Sequence, residues 1–165
     1  MCAYKTPPKA LPGFPKAIAA KPKTPITKNG NKLRKRWKDP DGTLYEWDYQ
    51  HGTVEKYDKQ GRHQGEYRPD GRKIGPPRYQ PKDSAMKASH RLVGYDRRTE
   101  LEKFELPISE RLFGEVRTVV KIDDDDPEAV GCYELTSDQA NLIASIVHRR
   151  NPPTGLDFFL EAYAD

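Results

Sequence analysis

The chain has 165 residues, 33% of them charged and 35% hydrophobic, with a mean hydropathy of −0.96. That allows one ordinary domain or two small ones with modest cores, and leaves part of the chain expected to stay unpacked. No apolar run approaches the ~20 residues of a membrane span, the start MCAYKTPPKA has no signal-peptide core, and the two cysteines, Cys2 and Cys132, lack metal-ligand spacing to any other ligand.

Charge divides the chain. Residues 1–85 hold 19 Lys/Arg and 9 Asp/Glu, a balance of +10, whereas residues 86–165 hold 10 and 16, a balance of −6. Such asymmetry suggests two modules with different partners, or two modules that partner each other. The expected class is α+β: a disordered basic arm, an N-terminal twisted antiparallel β-sheet (a meander), then a small ββαβαβ-type α+β domain.

Residues 1–31 read as a Pro/Lys-rich linker, a semi-rigid basic arm without sustained periodicity. Residues 32–82 carry turn signatures at 39–42, 59–61 and 69–71, separated by the short aromatic and β-branched runs TLYEWDY, TVEKYD, HQGEY and RKIG. That spacing predicts antiparallel hairpins. A connector at 83–86, within YQPKDSA, leads to an acidic domain at 87–165. There HRLVGYD and RTELEKFEL read as strands and 109–120 as a helix, followed by the acidic turn IDDDDPE. GCYEL is a strand, TSDQANLIASIVHRR a helix capped by Thr136 or Ser137, and LDFFLEAYA the closing strand.

The stretch YEWDYQHGTVEKYD places Asp48, His51 and Glu55 within eight residues, with Tyr57 just beyond. On a strand from 51 to 57 the odd positions share a face, which aligns His51, Thr53, Glu55 and Tyr57. Asp48 comes within reach if the chain bends near Gln50. A carboxylate beside an imidazole raises the histidine's pKa and fixes its tautomer. RNA cleavage by its own 2′-hydroxyl needs one group to activate that hydroxyl, another to protonate the departing 5′-oxygen, and a cation to stabilise the phosphorane-like transition state. The cations are at hand: KLRKRWK at 32–38 offers Lys32, Arg34, Lys35, Arg36 and Lys38 around Trp37, and Arg72 and Lys73 follow. Basic residues interleaved with aromatics make a surface that tracks phosphates and stacks bases. The bland alternatives are an inert histidine–carboxylate pair on a strand and a solvated basic arm.

On LPGFP…KPKTP, KLRKRW, the core EWD-x-QHG-x-x-E-x-Y and GPPR, residues 11–82 resemble the cytotoxic domain of the ribosome-inactivating E-group colicins and cloacin. The core fixes eight identities in twelve positions. The resemblance implies a twisted antiparallel sheet that cleaves small-subunit ribosomal RNA at the decoding site and stops translation, with no metal and no cofactor. It places the catalytic aspartate on Asp48, the histidine on His51, the glutamate on Glu55, the supporting tyrosine on Tyr57 and the arginine on Arg78, with Arg72 as the competitor. The expected roles are Glu55 as general base, His51 as general acid, Asp48 orienting His51 and Arg78 holding the phosphate; the acid and base labels are exchangeable at this level.

Residues 87–165 resemble small bacterial domains of unassigned activity. Next to a toxin they read as its immunity domain, with Asp123 to Asp126, Glu128 and Glu134 as acidic contributors, although the aspartate run is equally compatible with a free loop. The expected partners are the ribosome with its small-subunit RNA and the immunity domain, from the same chain or another copy. The expected place of action is the bacterial cytoplasm after export of a parent toxin, with no signal peptide in this chain. The alternatives are a non-catalytic RNA- or ribosome-binding remnant, or a structural β-repeat fragment with an unrelated acidic domain.

Overall fold

A computed structural model describes residues 4–28, 30–74 and 88–164. It is α+β, with two antiparallel five-stranded sheets and two short helices. The first half contributes β1 (Ile18–Ala20), β2 (Lys32–Leu33), β3 (Arg36–Lys38), β4 (Leu44–Asp48), β5 (Thr53–Tyr57) and β6 (His63–Tyr67). The second contributes β7 (Ser89–Asp96), β8 (Glu102–Ile108), α1 (Glu110–Val116), β9 (Cys132–Leu135), α2 (Ser137–Ile146) and β10 (Leu156–Tyr163), which is the expected ββαβαβ order. The strand order is β1-β3-β4-β5-β6 in one sheet and β2-β9-β10-β7-β8 in the other.

Alternation decides the first sheet. Trp37, Tyr45, Trp47 and Val54 point to one side and are almost fully buried, while Arg36, Glu46, Thr53 and Glu55 point to the other. A single sheet cannot bury an aromatic face by itself; it needs a second layer. The segment expected to be a free linker supplies that layer. Leu11 and Ala17 are buried against the aromatics, and Phe14 packs at their edge. Trp47 Nε1 donates to Lys5 O (2.7 Å), Trp37 Nε1 to Lys9 O (3.3 Å), and β1 pairs with β3. The expectation of a disordered arm is therefore corrected for residues 4–28. Low hydropathy hid a few well-placed apolar side chains and backbone groups that lie along the sheet.

In the second half, one sheet face carries Leu92, Tyr133, Leu135, Phe158 and Leu160 beneath the two helices. Helix α2 starts at a capping box in which Thr136 and Gln139 bond each other's backbone N–H. Helix α1 is shorter than expected: helical geometry ends near Arg117, where β-branched Thr118, Val119 and Val120 follow. The run RKIG contributes only a bridge between Tyr67 and Lys73.

The opposite face of the second sheet meets the first half. Val93, Tyr95, Cys132 and Phe159 form a buried cluster that Ala19 and Leu33 complete. Strand β2 leaves its own half and pairs with β9 (Lys32↔Tyr133, Leu33↔Cys132). Further bridges join Pro8 to Ala164 and Ala20 to Leu101. Ion pairs cross the boundary from Lys9 to Glu105 (2.6 Å), Lys21 to Asp157 (2.8 Å), Lys23 to Glu100, Lys32 to Asp123 (3.5 Å) and Asp125, and Lys35 to Glu161 (2.5 Å).

Candidate active site

The polar face of the first sheet carries the candidate residues. Antiparallel register lines up Arg36, Glu46, Glu55 and Glu66 as successive cross-strand partners from β3 to β6. Asp48 closes β4, and a four-residue turn from Tyr49 to Gly52 returns the chain to β5. His51 therefore sits in the turn and not on the strand, which starts at Thr53. Asp48 shapes this turn. Its side chain accepts from the backbone N–H of Gln50 (2.8 Å) and His51 (3.3 Å), and Gly52 N–H bonds its carbonyl (2.8 Å). Gly52 has φ +72, a left-handed conformation that glycine adopts without strain.

The same carboxylate takes the imidazole: His51 Nδ1 lies 2.6 Å from Asp48 Oδ2. That bond, and then the charge of Asp48, raises the His51 pKa above its ordinary value. Burial pushes the Asp48 carboxyl up, but the bonds from His51 and from the Gln50 and His51 amides outweigh it and hold the pKa down. With Nδ1 held by the carboxylate, Nε2 is turned outward on a side chain that is 66% exposed. The pair keeps its full mutual stabilisation from about pH 4 to about pH 6.5, the ordinary carboxylate and imidazole values. It fades below as Asp48 protonates through its lowered pKa, and above as His51 deprotonates through its raised one. A proton NMR titration of the full chain is expected to place the His51 midpoint above 6.5, and Asp48→Asn is expected to return it to about 6.5. A midpoint unmoved by Asp48→Asn would dismiss the carboxylate as the cause.

Glu55 follows two residues after Thr53 on the same face, as expected, and the register with β4 runs unbroken to Leu44↔Tyr57, so Tyr57 keeps that face; the register shift against β6 is taken up by Gln64. Its carboxylate is engaged by His63 Nε2 from β6. Thr53 Oγ1 donates to Glu66 (2.5 Å), and Thr24 Oγ1 to Glu46 (2.6 Å). Burial and then the nearby Glu46 and Glu55 charges raise the Tyr57 hydroxyl pKa, against the opposing charge of Arg34. The structure thus brings Asp48, His51, Glu55 and Tyr57 onto one surface, with Arg34 near Tyr57. It adds His63 and Glu66, which reading along single strands does not reveal. For His63 the signal was the turn at 58–61, which pairs it with Tyr57; Glu66 comes opposite Glu55 only because a bulge at Gln64 shifts the β5–β6 register by one residue.

The basic candidates divide. Lys32, Lys35 and Trp37 are buried, the two lysines on carboxylates of the second half, so in this arrangement none of the three offers a surface to RNA. Arg34, Arg36 and Lys38 are partly exposed. Arg36 Nε and Nη1 are buried without a hydrogen-bond partner. Arg72 is exposed and bound to Asp70 of its own turn (2.7 Å), and Lys73 lies over the Tyr67 ring. Arg78 lies outside the described residues. One ligand atom each from Asp48, His51 and Glu66 fall within 4.8 Å of one another, the one grouping among the described residues with the spacing to hold a cation. His51 Nδ1 and Asp48 Oδ2 already satisfy each other there. Among the described residues no helix is long and apolar enough to cross a membrane.

Residues 5–82 match the Cytotoxic domain family. The match begins at residue 5 and so takes in the segment that the structure folds onto the first sheet. Residues 89–161 match a domain of unknown function (DUF7683). No curated protein and no solved structure matches the chain. A cytotoxic domain points to a toxin of nuclease type, and the polar face above is where such chemistry would reside.

Proposed function

We propose that the cytotoxic domain is an endoribonuclease that cleaves small-subunit ribosomal RNA at the decoding site and stops translation, and that residues 89–161 restrain it as an immunity domain. The observation that carries the catalytic reading is the exposed Asp48–His51 pair beside Glu55 on one polar sheet face. The raised His51 pKa supports His51 as the proton donor, with Glu55 as the base in this reading. Glu55 takes the proton of the RNA 2′-hydroxyl, the 2′-oxygen bonds to phosphorus, and the P–O5′ bond breaks as His51 protonates the leaving oxygen. The products are a 2′,3′-cyclic phosphate and a free 5′-hydroxyl. Asp48 keeps His51 charged and oriented, and arginines meet the phosphate: Arg34 and Arg36 from the described face, Arg78 by the family resemblance. This chemistry needs no metal.

The restraint reading rests on the cations that the second half takes up: Lys9, Lys21, Lys23, Lys32 and Lys35 all meet its carboxylates. A domain that binds these lysines competes with ribosomal phosphates for them and lowers the electrostatic attraction to RNA. The site of action in this reading is the bacterial cytoplasm, where the ribosomes are. In a bacterial cell-free extract, residues 1–82 are expected to arrest translation and leave one new end in the small-subunit RNA. The intact chain is expected to arrest it far less at the same concentration. Translation that continues with intact RNA at micromolar 1–82 would remove the nuclease reading and favour a remnant that only binds.

A further inference from the structure

The face of the second sheet that meets the cytotoxic domain has an unbalanced charge of its own. Glu161 on β10 is fully buried, Arg91 on β7 is 1% exposed, and Tyr95 on β7 is fully buried. Tyr95 OH donates to Glu161 Oε1 (2.6 Å), and Arg91 Nη2 lies 3.3 Å from Glu161 Oε2. The same guanidinium also serves Glu102 and Glu105, each at 3.3 Å. Within the second half, then, three carboxylates share one cation. Val93, Cys132 and Phe159 surround the deep end of this cluster, where water cannot supply the missing charge.

The cytotoxic domain supplies it. Lys35 Nζ reaches Glu161 Oε2 at 2.5 Å and Tyr95 OH at 3.1 Å, with its side chain 1% exposed. Lys9 Nζ reaches Glu105 at 2.6 Å from the half-exposed rim. Two lysines from two separate segments fill a deficit of two cations, and pairing of β2 with β9 sets the depth at which Lys35 enters. A burial of this kind rejects partners more sharply than it rewards the right one. A buried carboxylate that loses its cation is strongly destabilising, whereas the intact pair gains little over an apolar pair of the same shape.

We propose that residues 89–161 form a lysine-reading face: they select a cytotoxic-domain partner by the cation at the position of Lys35, with Lys9 as a second, weaker contact at the rim. The partner that fits is an extended basic strand able to extend the sheet beside β9 while inserting one lysine between Tyr95 and Glu161. A cytotoxic domain with an apolar or acidic residue at that position is refused. This rests on the reading of residues 89–161 as the restraining half. Its test uses no RNA, so failure of the nuclease reading and failure of the lysine-reading face are told apart.

The test is amide hydrogen exchange on the full chain. Among the amides that bond across the boundary are Lys21 N, to Glu100 O, and Ala164 N, to Pro7 O, both at 2.9 Å. In Lys35→Met these are expected to exchange on the order of a hundredfold faster, while the amides of α2 and β5, inside the two separate cores, keep their protection. Lys9→Met is expected to give only a few-fold change, as befits a partly exposed pair. In Lys35→Met/Glu161→Gln the boundary amides are expected to recover most of the loss, because no unpaired charge stays buried. Equal acceleration of every amide in Lys35→Met would overturn the proposal, since the pair would then be a part of one common core. So would unchanged boundary exchange, or a double variant whose boundary amides exchange as fast as those of Lys35→Met. Should Lys35→Met fail to fold, the double variant decides alone: native exchange in α2 and β5 with a partly closed boundary upholds the reader, and loss of the fold overturns it.

Discussion

His51→Ala is expected to reduce RNA cleavage by residues 1–82 to background, and Glu55→Gln to slow it by about a hundredfold or more, the scale of a lost general acid or base. Both side chains lie on the solvent side of the sheet and neither contributes to the aromatic core, so folding and ribosome binding are expected to persist. The variants then separate chemistry from recognition: binding held, turnover lost. The pH profile gives an independent check. His51 must carry its proton to act as the acid, so the rate is expected to fall on the alkaline side through its raised pKa. Asp48→Asn is expected to move that limb toward lower pH. Cleavage by His51→Ala at the parent rate would reduce the Asp48–His51 pair to a turn-stabilising contact.

Trp37→Ala is expected to be the most destabilising single change in the first half, at about 3–5 kcal/mol in chemical denaturation of the full chain. Its side chain is fully buried, it packs in the core that joins the arm to the sheet, and its indole N–H holds the Lys9 carbonyl. Removing it leaves a cavity under the arm and frees that carbonyl. As a contrast, Leu142→Ala on α2 removes a side chain that is 56% exposed and is expected to cost well under 1 kcal/mol. A Trp37→Ala loss as small as that of Leu142→Ala would mean that the arm does not seal the aromatic face.

How much of this was legible differs by feature. Strands β4 to β7, β9 and β10 fall within a residue or two of their runs because alternation and turn residues act locally. The Asp48–His51 pairing was readable for the same reason, being three residues apart in a turn that Gly52 closes. What escaped was non-local. A chain of Pro, Lys and Ala gives no periodicity, so nothing in residues 4–28 announces that Leu11 and Ala17 will cap tryptophans. His63 reaches Glu55, and Glu66 faces it, only through strand register. The charge contrast between the halves is mirrored in ion pairs between them, of which the aspartate run makes only part. Asp123 and Asp125 engage Lys32, whereas Asp126 turns inward to the Val130 and Gly131 amides and the Tyr133 hydroxyl. The deepest carboxylate, Glu161, sits in an apolar strand where hydropathy hides it.

The position of Glu161 has a consequence for synthesis. Strand β10 lies between β9 and β7 and holds the carboxylate that receives Lys35, so the boundary cannot close until the last part of the second half has been made. The first sheet and most of its aromatic core are complete in sequence by Tyr67. At about 5–20 residues per second, the stretch from residue 82 to residue 161 takes roughly 4–16 s to translate. Under the proposed function, the first half would for that interval have the core to fold and nothing from the second half to restrain it, and survival of the ribosome making it would be a race between elongation and the first cut.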